Sequence, residues 1–151
     1  MEKMMKISAK GRYALLAVLQ LSTEHGKGER AVQIQIIADK QHIPPRYLVQ
    51  ILLQLNRSGI VNSVRGAKGG YVLARPPAEI SVGDVIRAIE GPIEPAQCFS
   101  GETPKRCAFT HPCPFKNVWA EVTASVANVL DNTDFDRLRD EFNDNPEMYN
   151  I

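Results

Sequence analysis

Residues 45–74 read PRYLVQILLQLNRSGIVNSVRGAKGGYVLA, and the order of signals within them decides the fold. Pro45 suits the first turn of a helix, where the missing N–H is no loss. Leu48, Ile51, Leu52 and Leu55 then recur at the spacing of one helical face, and Gly59 suits the position just past a helix end. Pro45–Arg57 is therefore expected to be helical. Beyond it, β-branched runs at 60–65 and 71–74 flank a turn containing Gly66, Gly69 and Gly70, which predicts a hairpin with a five-residue loop.

Upstream, Ser8 is a plausible N-cap for a first helix through Tyr13, Leu16, Ala17, Gln20 and Leu21, widened by Leu15 and Leu19 and ending near His25 and Gly26. Residues 31–41 give a short second helix with Ile34, Ile37 and Ala38 on one face. Two short helices, a tight turn and a glycine-rich hairpin match a winged helix-turn-helix. Downstream, Pro76 and Pro77 close the hairpin, and Ser81-Val82-Gly83-Asp84 resembles a capping box opening a helix through Val85, Ile86 and Ile89 to Gly91. Five prolines and all three cysteines fall in 92–114, a segment that cannot be regular helix and needs another source of order. From 115 to 130, Val118, Trp119, Val122, Val126, Val129 and Leu130 repeat at helical steps, and Thr133 with Asp136 is read as capping a last helix that ends near Phe142. The expected fold is mainly α with a small β-hairpin wing. Its organisation is a DNA-binding domain at 1–91, a cysteine-containing sensor loop at 92–114, and a dimerisation helix with tail at 115–151.

The chain of 151 residues is 44% hydrophobic and 23% charged, which suits one globular domain with an appended helix and argues against a disordered chain. No apolar run approaches the roughly 18 residues that span a bilayer, and the start lacks the cleavage site of a secretory signal. A cytoplasmic location with no membrane partner is expected. The net charge of +1 conceals a division: residues 1–77 carry 12 Lys+Arg against 4 Asp+Glu, and residues 78–151 carry 6 against 13. Those halves stand at +8 and −7. Double-stranded DNA is the first partner to weigh, with an uneven surface as the plain alternative.

On the third helix the apolar stripe leaves Arg46, Tyr47, Val49 and Gln50 facing outward, where Gln50 can pair with adenine. At the wing, Arg65 and Lys68 bracket glycines that allow close backbone approach to a narrow minor groove or a phosphate. A purely structural hairpin is the competing reading. The stripe of helix 115–130 must be buried somewhere. Packing on the same helix of a second copy predicts a homodimer, while folding back on its own domain is the alternative.

The segments KISAKGRYALLAVLQL (6–21), PPRYLVQILLQLNRSGIVNSVRGAKGGYVLARP (44–76) and ISVGDVIRAIEGP (80–92), with the cysteine segment, resemble the bacterial Rrf2 family, which has IscR-, NsrR- and CymR-like branches. The run GIVNSVRGAKGGY at 59–71 is the most specific piece. The resemblance implies a dimeric transcription regulator on pseudo-palindromic operators. By position it implies base contacts from Arg46, Tyr47 and Gln50, a minor-groove role for Arg65, and phosphate contact near Ser8 and Lys10. Val49 departs, standing where IscR-like members can have a base-reading glutamate.

Cys98, Cys107 and Cys113 are spaced C-x8-C-x5-C, without the C-x2-C pairing of zinc ribbons. Three thiolates on a proline-stiffened loop can hold an iron–sulfur cluster, of two-iron or four-iron type, and leave one iron for another ligand. Inert packing cysteines are the plainer alternative. The arrangement is similar to the IscR- and NsrR-like loops, though the first gap differs. The fourth ligand is open: Lys116 and Arg12 occupy the positions from which relatives supply one, and His111 is the nearest imidazole. Gain or loss of a cluster is expected to shift the spacing of two recognition helices. After an acidic stretch, the apolar and aromatic tip with Tyr149 and Ile151 resembles CymR-like relatives, which also end in isoleucine, and this implies the runner-up: control of cysteine metabolism through a complex with O-acetylserine sulfhydrylase. A cysteine-nucleophile enzyme is disfavoured, since His111 is the only nearby base and no nucleotide fingerprint accompanies it; a zinc adaptor using the three cysteines and His111 is a third possibility.

Overall fold

Ser8 starts the fold. Its Oγ accepts the N–H of Gly11 at 3.0 Å, and α1 then runs over Ala9–Glu24. In the computed structural model, which describes residues 7–28, 30–94 and 113–145, it is followed by α2 (Ile34–Gln41), α3 (Pro45–Arg57), β1 (Val61–Val64), β2 (Gly70–Leu73), a 3₁₀ turn (Pro77–Glu79), α4 (Val82–Glu90), α5 (Lys116–Asp131) and α6 (Phe135–Asp144). This is a mainly helical winged helix-turn-helix. No helix among the described residues is long and apolar enough to cross a membrane.

The α1 face differs in detail from the expected one: Ala14, Ala17, Val18 and Leu21 are fully inside, while Tyr13 and Leu16 are only partly covered. Small residues at 14 and 17 let the neighbouring helices approach closely. α3 buries Leu48, Ile51, Leu52 and Leu55 completely, each burial contributing about 1.5–3 kcal/mol. It ends as glycine spacing predicts. Gly59, at φ 74°, donates to the Asn56 carbonyl and Ile60 donates to Leu55, a Schellman closure that turns the chain into β1.

The second helix begins at Ile34 rather than 31, a correction with a tertiary cause. Val32 exchanges two 2.9 Å backbone hydrogen bonds with Tyr71, so residues 31–33 lie extended along the wing as a third, one-residue strand. Apolar periodicity could not reveal that pairing. β1 and β2 pair antiparallel from Val61 with Leu73 to Val64 with Gly70, leaving the five-residue loop 65–69. Gly70, at φ 149°, passes so close to the Val32 carbonyl that no Cβ fits.

The capping box of α4 is present as read: Ser81 Oγ accepts from Asp84 N, and Asp84 accepts from Ser81 N, both at 3.0 Å. The last helix is corrected at its start, where Asp134 rather than Thr133 is the cap and accepts the N–H of Arg137 at 2.9 Å. Thr133 instead bonds back to the Val129 carbonyl, and Asp134 pairs with Ser81 in an isolated bridge. α6 packs on α1 and the 3₁₀ turn, with Phe135 in the same core as Leu48 and Ile80. α5 is different. It packs on α4 and buries none of its 16 residues.

Candidate nucleic-acid interface

The helix-turn-helix pair is joined by His42, Ile43 and Pro44. His42 takes a left-handed conformation at φ 52°, Ile43 is buried, and Pro44 precedes the first residue of α3. Burial of the Leu48–Leu55 stripe turns the opposite side outward: Arg46, Tyr47, Val49 and Gln50 are all exposed, with Tyr47 retaining 58% of its surface. Tyr47 lies 6.4 Å, ring centre to ring centre, from Tyr13 of α1. That tilted contact braces the start of α3 against α1.

Arg65 and Lys68 both lie exposed in the wing loop. Gly66 adopts φ 112°, and Gly69 lies too close to the Val64 carbonyl for any side chain, so the loop is tight and the basic side chains leave it from a defined backbone. Ser8 is exposed and Lys10 half-exposed at the start of α1. Since α1 packs against both α3 and β2, all seven sequence-selected positions sit on one packed body. Its exposed side chains include Arg46 on the helix and Arg65 and Lys68 on the wing, cations suited to a polyanion.

Cys113 is a free, half-buried thiol just ahead of α5, its carbonyl accepting from Lys116 at 3.2 Å. Cys98, Cys107 and His111 lie outside the described residues, as do Tyr149 and Ile151 of the tail. Among the described residues no group of three His, Cys, Asp or Glu side chains is placed to hold a metal ion.

Sequence reasoning missed the groups that hold these elements to one another. Arg87 of α4 makes a two-pronged pair with Asp131 of α5 at 2.7 and 2.9 Å. The Arg87 hydrogen bond holds the Asp131 carboxyl below its ordinary range and raises the guanidinium in return. Gly83 makes room, since a Cβ there would strike the Asp131 carboxylate. Glu90 accepts the backbone N–H of Ser8 at 2.6 Å. These partners are separated by 44 and 82 residues, so no local pattern announces them.

The family model for Rrf2, described as an iron-dependent transcriptional regulator, matches residues 7–141. The HTH-type transcriptional regulator CymR of Bacillus subtilis is 36% identical over 145 residues, 96% of this chain and 97% of that protein. Among solved structures, CymR, the global cysteine regulator of B. subtilis, superposes with a TM-score of 0.75 at 36% identity, covering 91% of this chain and 98% of that one. T. potens IscR gives 0.69 at 33% identity, covering 97% and 91%. Such proteins act on transcription and are not enzymes. The exposed recognition helix, the basic wing and these matches together show that this chain belongs to the Rrf2 family of DNA-binding transcriptional regulators.

Proposed function

We propose that α3 lies in the major groove of operator DNA, with Arg46, Tyr47 and Gln50 at base edges and phosphates. In this reading Arg65 enters the adjacent minor groove, Lys68 meets the backbone, and Ser8 and Lys10 hold a phosphate at the start of α1. The observation that supports it most directly is the two-sidedness of α3, apolar and buried on one side, open on the other with Arg46, Tyr47 and Gln50 exposed. A homodimer formed through α5 presents two such faces to a pseudo-palindromic site. Arg65→Glu is expected to weaken binding to every duplex, and Gln50→Ala to relax preference at one base position by about 1–3 kcal/mol. Wild-type affinity and selectivity for both, measured on duplexes selected from a random library, would contradict the docking.

The signal is read as an iron–sulfur cluster on Cys98, Cys107 and Cys113. Cys113 fits as a donor, being unpaired and partly open beside the start of α5. The iron-dependent description of the family and the likeness to IscR support the same assignment. When bound, such a group supplies a link among the thiolates that oxidation can break. The chain does the rest: α5 is held to α4 near its far end, so assembling or losing a cluster on the cysteine segment alters how its near end docks and how far apart the recognition helices stand. Anaerobic purification with iron and sulfide assay, then operator binding before and after removal of the group, tests this; equal affinity refutes the control.

Similarity to CymR over 96% of this chain favours a second reading, regulation of cysteine metabolism by a complex with O-acetylserine sulfhydrylase through Tyr149 and Ile151. Pull-down by the intact chain, lost on deleting Ile151, is the expected result. No capture by the intact chain removes this reading.

A further inference from the structure

Glu90 is the last residue of α4, and Gly91, at φ 82°, ends that helix at the threshold of the cysteine segment. The Glu90 carboxylate accepts the Ser8 backbone N–H at 2.6 Å. Ser8 is the N-cap of α1, and its hydroxyl accepts from Gly11, the third helical residue. In a capping box the side chain at that third position returns an acceptor to the N-cap N–H, as Asp84 does for Ser81 in α4. Gly11 has no side chain to return. A Cβ there would lie 2.6 Å from Glu90 Oε1, so the glycine leaves the space that the distant carboxylate fills. The box on α1 is therefore completed from another helix, and its two halves are Gly11 and Glu90.

We infer that Glu90 is a positioning residue for DNA binding. It fixes the backbone of Ser8, Ala9 and Lys10 and ties that end of α1 to the point where the cysteine segment leaves α4. This rests on the reading of Ser8 and Lys10 as phosphate contacts. Without the acceptor, the Ser8 N–H must turn to water, the first turn of α1 loosens, and the Lys10 side chain starts from an unfixed backbone. A glutamine retains the accepting oxygen and removes a negative charge beside the phosphate, so it should support binding at least as tight as the native residue.

The test uses the full chain and a duplex that it selects from a random-sequence library, with affinity followed across salt concentrations. Glu90→Ala is expected to lose about fivefold to twentyfold in affinity, and its dependence of log K on log salt should flatten by about 0.9 per lost phosphate contact. Glu90→Gln should restore both. Gly11→Ala, which displaces the carboxylate while favouring the helix, should reproduce the loss even if Glu90→Ala folds poorly. A native salt slope in Glu90→Ala or Gly11→Ala, with or without weaker binding, overturns the role of Glu90. Lys10→Ala separates the two claims: a flattened slope there leaves the phosphate reading standing when the Glu90 inference fails, and a native slope overturns both.

Discussion

His42 closes the turn between α2 and α3 at φ 52°, and its N–H and that of Ile43 both reach the Ala38 carbonyl. A left-handed backbone costs a non-glycine residue about 1–2 kcal/mol, and a β-branched side chain is the least tolerant of it. His42→Ile should therefore unfold at lower urea, with a loss of about 1–2 kcal/mol, whereas His42→Gly should stay within about 1 kcal/mol of the native chain. Equal urea midpoints for His42→Ile and the native protein would show the turn to be more yielding than its geometry implies. The same scale separates what is readable from what is not. Arg46, Tyr47 and Gln50 follow from helical spacing alone, because Leu48, Ile51 and Leu52 fix which side turns inward. His42 carries no such signature, since the usual marker of a left-handed turn is glycine.

Among the elements, α1, α3, the hairpin and α4 were legible because each carries its own period, cap or turn residues. What escaped was decided by contacts distant in sequence: residues 31–33 were drawn out of α2 by Tyr71, and the start of α6 was set by the bridge between Ser81 and Asp134. The attachment of α5 belongs to this class. Arg87 and Asp131 are each about two-fifths exposed, so their pair contributes at most about 1 kcal/mol despite its two hydrogen bonds. The Asp131 carboxyl lies below its ordinary value of 3.8 in the folded chain, chiefly through the Arg87 hydrogen bond. Its contribution is thus complete above that value and disappears as pH falls through the lowered one. Asp131→Asn should accordingly be slightly less stable near neutrality and converge with the native chain in acid. Urea unfolding across pH checks this, and a constant difference down to the acid limit would assign the loss to something other than the carboxylate charge.

At the scale of the whole molecule, the core already closes without α5: α6 returns to α1, Phe135 fills the interior, and the winged unit is satisfied. α5 nonetheless carries Val118, Val122, Val126 and Val129 along one side. Val118 and Val129, eleven residues or about three turns apart, retain 50% and 64% of their surface, and Phe115 continues the stripe. An apolar ridge that the described residues leave open is best buried against a second copy, where twofold symmetry lets one stripe satisfy its equivalent. Val118→Glu combined with Val129→Glu should consequently convert a dimer to a monomer in sedimentation, with an unchanged helical signal because neither residue belongs to the core. Since one operator half-site then binds without help from the other, affinity for a pseudo-palindromic duplex should fall by about 10²–10⁴, while binding to a single half-site should change little. If the double variant still sediments as a dimer, the two recognition helices are coupled through some other surface, and the path from the cysteine segment to operator spacing cannot run through α5.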